Sequence, residues 1–178
     1  MTENPVRLRV FFALWPDKAL QNALYQLGSS LQPVCMGLPI RAEMIHLTLA
    51  FLGALPVDRL EALYATAARV HSPAFDLTID QLSYWHQPRI LWAGSQQPPA
   101  DLNNLASRLH AALSEAGFTV DKSKPFSPHF SLRRKASCKT LIQFSMSFNM
   151  RVSEFVVASS ETTEKGANYR VMRRWPLY

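Results

Sequence analysis

Met44-Ile45-His46-Leu47-Thr48-Leu49-Ala50-Phe51-Leu52 is the stretch whose reading decides the rest of the chain. Side chains on an extended strand alternate between two faces. Leu47, Leu49 and Phe51 point one way, while His46 and Thr48 stand side by side on the other. The device recurs in Pro128-His129-Phe130-Ser131-Leu132, 83 residues further on. Again a histidine and a hydroxyl residue share one strand face, with apolar residues opposite. An internal echo of this kind, a little under half the chain apart, is the first feature of the sequence to account for.

Two imidazoles presented this way suit one chemistry. Histidine titrates near pH 6.5, so its neutral and protonated forms are both accessible near neutrality. One imidazole can take a proton from an attacking water while the other gives one to a departing oxygen. Opposed strands can set them on either side of one phosphorus, as in-line displacement requires. The hydroxyls of Thr48 and Ser131 are then placed to donate to the non-bridging phosphate oxygens, where charge grows in the transition state.

His46-Leu47-Thr48-Leu49 and His129-Phe130-Ser131-Leu132 resemble the paired H-x-T/S-x motifs of the two-histidine (2H) phosphoesterases. Within that superfamily the likeness is to the bacterial RNA 2',3'-cyclic phosphodiesterases, also known as 2'-5' RNA ligases. Phe11-Phe12-Ala13-Leu14, the extension through Gly53, and Pro125-Phe126 before Pro128-His129 carry the same likeness. It runs from about Arg9 to about Trp175. The resemblance implies a bilobal α+β fold around a central cleft, with residues 1–178 forming one domain. His46 is then the general acid and His129 the general base. It further implies a basic phosphate contact five positions beyond the second histidine, which is Arg134. Strict alternation puts Arg133 on the His129 face instead, unless a bulge or strand end brings Arg134 round. Serine replaces the threonine of many relatives in the second motif, keeping the hydroxyl. The implied product is a 2'-phosphate end, with 2'-5' joining as the reverse reaction.

Other features set bounds. Of 178 residues, 48% are hydrophobic and 18% charged, a globular composition. The net charge of +6 is uneven: residues 1–117 carry −1 and residues 118–178 carry +7. The part bearing the second motif is therefore the basic one, which suits an anionic partner such as RNA or a nucleotide bearing a 2',3'-cyclic phosphate. Lys122 and Lys124 precede that motif, and Arg133, Arg134 and Lys135 follow it. No apolar run approaches the length of a membrane span, and the N-terminus lacks a signal pattern, so a cytoplasmic monomer is expected. Cys35 and Cys138 have no metal-ligand spacing and fit a reducing compartment as structural or incidental residues. No His-Cys-Asp cluster, glycine-rich phosphate loop or Walker pattern is present, so no metal and no cofactor are expected. His71, His86 and His110 read as surface or structural. Phe11, Tyr84, Trp85 and Trp92 are candidates to stack on an unpaired base, Phe11 and Trp92 above all, or else to fill the core.

Along the chain the pattern predicts strands at 6–14, 44–52, 75–82, 89–93, 129–132, 151–159 and 169–175. Helices are predicted after Pro16-Asp17, over 57–70, and after Pro98-Pro99. Residues 32–43 and 136–149 read as irregular, and 161–168 as a turn. The class is α+β, with antiparallel-rich sheets and packed helices. The leading function is metal-independent hydrolysis of RNA 2',3'-cyclic phosphate ends. The alternatives are an RNA-binding module without turnover and a phosphodiesterase for small nucleotide or ADP-ribose cyclic phosphates.

Overall fold

A computed structural model describes residues 6–121, 125–139, 145–163 and 166–178. Lys122 and Lys124 lie outside those residues. The elements run β1 (Arg7–Leu14), α1 (Lys18–Ser30), β2 (Cys35–Pro39), β3 (Leu47–Pro56), α2 (Leu60–Ala67), β4 (Phe75–Ile79), β5 (Gln81–Trp85) and β6 (Ile90–Gly94). There follow α3 (Ala100–Glu115), β7 (Phe130–Cys138), β8 (Phe148–Val152), β9 (Glu154–Thr163) and β10 (Gly166–Pro176). The fold is α+β, as the pattern predicts. No described helix is long and apolar enough to cross a membrane.

Eight strands form one antiparallel sheet in the order β10-β9-β1-β3-β7-β6-β5, with β2 also pairing with β7. The two motif strands are joined at a single residue pair, Leu47 opposite Phe130. These are the equivalent positions of the two motifs, each directly after its histidine. A local two-fold relation therefore passes between them. Continued antiparallel from that pair, Thr48 runs toward His129 and Ser131 toward His46. Beyond this point β3 stays with β1, while β7 continues beside β6 and β2. The divergence opens a wedge in the sheet at the two histidines.

Alternation in β1 explains the layering. Val10, Phe12 and Leu14 enter the main core, where Leu47, Leu49, Phe130 and Leu132 also lie. Phe11 and Ala13 face the other way and pack with Val156 and Ala158, edged by Trp15, Phe51 and Tyr169. α1 packs on β7 and β2, while α3 packs on β3 and on α2. The Asp17 carboxylate caps α1 by accepting the Leu20 N–H at 2.8 Å. The leucine stripe of α3 is buried as its spacing predicts, from Leu102 to Leu113.

Several boundaries differ from the sequence reading. The predicted loop 32–43 contains β2, whose exposed Met36 and Leu38 give it no amphipathic signature. The predicted strand 75–82 is two strands divided at Asp80. There the Asp80 carboxylate accepts the Gln96 N–H, and its own N–H donates to Gly94. β4 therefore pairs with β8, and only β5 makes the hairpin with β6. Likewise 151–159 divides at Ser153, whose carbonyl accepts the Leu177 N–H. The β2–β7 register also sets Cys35 against Cys138 with Cα atoms 4.0 Å apart, and the two form a disulfide. Nothing in their sequence spacing indicated that pairing.

Candidate active site

Both motif histidines are held in the same way. Nδ1–H of His46 donates to the Met44 carbonyl at 2.7 Å, and Nδ1–H of His129 donates to the Ser127 carbonyl at 2.8 Å. In each case the acceptor is two residues upstream, so the anchor repeats with the motif. A carbonyl can only accept, so each bond fixes the tautomer and leaves Nε2 for chemistry. Nε2 of His46 accepts from the Thr48 hydroxyl at 3.1 Å. Behind this strand entrance, the buried Gln21 of α1 donates from Nε2 to the Ile45 carbonyl at 3.1 Å. That bond fixes the backbone immediately before His46.

Aromatic rings frame each imidazole. Trp15 stacks on His46 at 5.2 Å with ring planes 6° apart. Phe11 lies 4.9 Å from His46, and Tyr169 meets it edge-on at 5.2 Å. On the other side Trp85 meets His129 edge-on at 4.5 Å, with Trp92 behind at 6.3 Å. Phe11 is only 3% exposed and Trp92 only 8%, so both are walls beneath the histidines rather than open platforms for a base. This corrects the stacking expectation for the two, because each strand is covered on both faces here. Trp15 and Tyr169 were missed in the sequence. Neither lies in a motif: Trp15 reaches His46 through the β1–β3 pairing, where Leu14 faces Leu47, and Tyr169 reaches it from β10 across β9 and β1.

The arginine pair is resolved by a bulge. Along β7, Arg133 faces Leu91 and Ser131 faces Trp92, which leaves Leu132 without a counterpart on β6. One extra residue reverses the alternation beyond it. Arg133 turns inward, 2% exposed, and donates to the carbonyls of Gly28 at 3.0 Å and Gly37 at 2.6 Å. Arg134 turns to the cleft, where its Nη2 donates to the Tyr169 hydroxyl at 2.9 Å. Its charge acts on His46. Gly37 has a φ of +119°, and a Cβ there would lie 2.6 Å from the Arg134 carbonyl oxygen, so this turn of β2 needs glycine.

Both imidazoles lose proton affinity. Burial pushes His46 down to about 4, with the charges of Arg134 and His129 adding to it and the Met44 carbonyl opposing it. Burial also lowers His129, against its bond to the Ser127 carbonyl. The unliganded site therefore holds two neutral imidazoles beside one arginine, a site prepared for an anion. Among the described residues no group of three His, Cys, Asp or Glu side chains comes together that could hold a metal ion.

Next to His129 and Thr48 lies a hollow of about 670 Å³ whose walls include Phe51, Trp85, Pro88, His110 and Phe126. His110 is fixed there by donating Nε2–H to the Leu49 carbonyl at 2.8 Å. In the sequence it gave no sign of this position. His71 and His86 lie elsewhere, packed on Tyr178 and Tyr84 respectively.

A sheet split at paired histidine strands, with each imidazole anchored through Nδ1 beside a cleft arginine, is the layout of a two-histidine phosphoesterase. Comparison with known proteins narrows this. Residues 14–92 match the family described as LigT like Phosphoesterase. The chain is 32% identical over 170 residues to the RNA 2',3'-cyclic phosphodiesterase of Escherichia coli K12, covering 95% of this chain and 96% of that one. It is 29% identical over 182 residues to the enzyme of that name from Thermus thermophilus, covering 96% and 90%. The solved structure of Escherichia coli LigT complexed with 3'-AMP superposes with a TM-score of 0.84 at 31% identity, over 96% of this chain and 98% of that one. The chain belongs to the family of LigT-like phosphoesterases.

Proposed function

We propose that this protein hydrolyses RNA 2',3'-cyclic phosphate ends to 2'-phosphate ends, with two histidines and no metal performing the proton transfers, and that residues 1–178 work as one bilobal domain. The observation that carries this is the repeated anchor: both imidazoles are locked through Nδ1, which turns Nε2 toward the cleft, at the point where the motif strands meet. Neutral His129 takes the proton of a water that attacks phosphorus. His46, protonated through Nε2, gives its proton to O3' as the P–O3' bond breaks. When Nε2 carries a proton it no longer accepts from Thr48, so that hydroxyl is free to donate to the phosphate. Ser131 supplies the matching hydroxyl and Arg134 the charge. The anion restores proton affinity to imidazoles that burial has depressed, so the site acquires its acid on binding substrate. An alcohol can replace the water, giving 2'-5' joining by the same geometry.

The names of the relatives support an RNA cyclic phosphate as substrate. No observation of the cleft favours a binding module without turnover. The test is turnover of a 2',3'-cyclic-phosphate-ended RNA in EDTA by the wild type and by His46→Ala and His129→Ala. Each variant is expected to lose roughly 10²–10⁴-fold in kcat, the scale of a general acid or base. His71→Ala and His86→Ala should stay near wild type. Turnover that EDTA abolishes and a divalent ion restores would overturn the metal-free mechanism.

A further inference from the structure

We propose that the hollow beside His129 seats the attacking alcohol: a nucleoside with a free 5'-hydroxyl, which takes the place of water at the cyclic phosphate. This rests on the phosphodiesterase reading above and on His129 as the base.

The hollow touches the reacting centre at His129 and Thr48, but His46, Arg134, Tyr169 and Trp15 are not among its walls. In an in-line displacement the attacker and the leaving oxygen lie on opposite sides of phosphorus. The base stands on the attacker's side, so the hollow opens where the attacker arrives. A water needs roughly 30 Å³. The hollow has about 670 Å³, within the range of small-molecule pockets. The hollow is therefore far larger than an attacking water requires, and large enough for a nucleoside.

The walls suit a base. Phe51, Trp85 and Phe126 are half-buried aromatic rings around it, with Pro88 beside them. Such rings stack on any base with little regard to sequence. His110 donates through Nε2 to the Leu49 carbonyl, which leaves its Nδ1 edge for contact with a base or a sugar hydroxyl.

The step balances without a further reactant. The 5'-oxygen bonds to phosphorus as its proton passes to Nε2 of His129. The P–O3' bond breaks as the Nε2 proton of His46 passes to O3'. The product is a 2'-5' phosphodiester with a free 3'-hydroxyl.

The experiment supplies 2',3'-cyclic AMP with rising adenosine and separates 2'-AMP from the 2'-5' dinucleoside by chromatography. In the wild type the ratio of transfer to hydrolysis should rise with adenosine and then saturate. Phe126→Leu and Phe51→Leu keep bulk but remove the ring face. Each should lower that ratio roughly ten-fold or more, with kcat/KM for hydrolysis within about three-fold of wild type. That retained hydrolysis also shows that the variant is folded. An unchanged ratio in both variants, or wild-type hydrolysis without any transfer, would overturn this proposal alone. So would variants that hydrolyse 2',3'-cyclic AMP poorly yet still hydrolyse ethylene phosphate, a base-free cyclic phosphate. In that case the hollow holds the substrate's own base. A wild type that hydrolyses neither compound would remove the phosphodiesterase reading, and this proposal with it.

Discussion

Replacing Arg134 by Gln should slow the reaction and, at the same time, move its pH profile upward. His46 is depressed from 6.5 to about 4, chiefly by burial and in part by the Arg134 charge. A pKa of about 4 makes protonation of His46 costlier by about 3 kcal/mol than in water, and leaves roughly one protein in a thousand protonated there at pH 7. His129 is lowered as well. The profile of kcat/KM reports the free protein, so its bell should have both limbs below 6.5, with the limb of His46 near 4. The profile of kcat reports the complex. There the bound anion raises both imidazoles, so that bell should lie at higher pH. Arg134→Gln removes a cation that disfavours imidazolium, so the limb of His46 should move toward neutrality. It also removes the charge proposed to bind the phosphate, so kcat/KM at the optimum should fall on the order of ten- to a hundred-fold. Stopped assays of kcat and KM between pH 3.5 and 9, for wild type and variant, measure both effects. A wild-type kcat/KM bell with an alkaline limb above 7 would refute the reasoning, as would a limb that stays put or moves down in Arg134→Gln.

Stability should carry the same signature. The folded state resists protonation of His46 between its ordinary pKa and about 4, so stability is full above pH 6.5 and falls by about 3 kcal/mol as the pH drops through that window. Urea melts of wild type against His46→Ala should show the slope shrinking in the variant, whereas equal slopes would contradict the burial of that ring. Gly94→Ala tests the His129 side. The new Cβ would lie 2.9 Å from the Trp92 ring and 3.1 Å from the Pro128 carbonyl oxygen, so the backbone just before His129 must shift. Overpacking of this kind costs about 1–3 kcal/mol, and kcat should fall with it. Unchanged kcat would show that His129 is positioned independently of Trp92.

The histidines, their hydroxyl partners and the α+β class were legible because strand alternation is local. Leu47 and Phe130 had to face the core, so His46 and His129 had to face away from it. The helices with clean apolar stripes, α3 above all, were legible for the same reason. What escaped depends on pairing between distant segments. The choice between Arg133 and Arg134 turns on a bulge at Leu132 that exists only against β6. Trp15 reaches His46 through the β1–β3 register, and Tyr169 reaches it from β10, two strands further out. The disulfide follows from the β2–β7 register, and β2 itself, with exposed Met36 and Leu38, carries no strand pattern. Phe11 and Trp92 were read as candidates to stack on a base or to fill the core, and they lie buried beside the two histidines. Their burial follows from a second apolar layer that a single strand does not reveal.

The central claim is that the two imidazoles open a cyclic phosphate in one direction, with His46 at O3' and the attacker on the side of His129. Phosphorus NMR of the product from an RNA ending in a 2',3'-cyclic phosphate, with EDTA present throughout, tests it most directly. The account predicts a single phosphomonoester resonance, that of the 2'-phosphate, formed by the wild type and lost in His46→Ala and His129→Ala. A 3'-phosphate, a mixture of the two, or product formed equally well by either variant would contradict it.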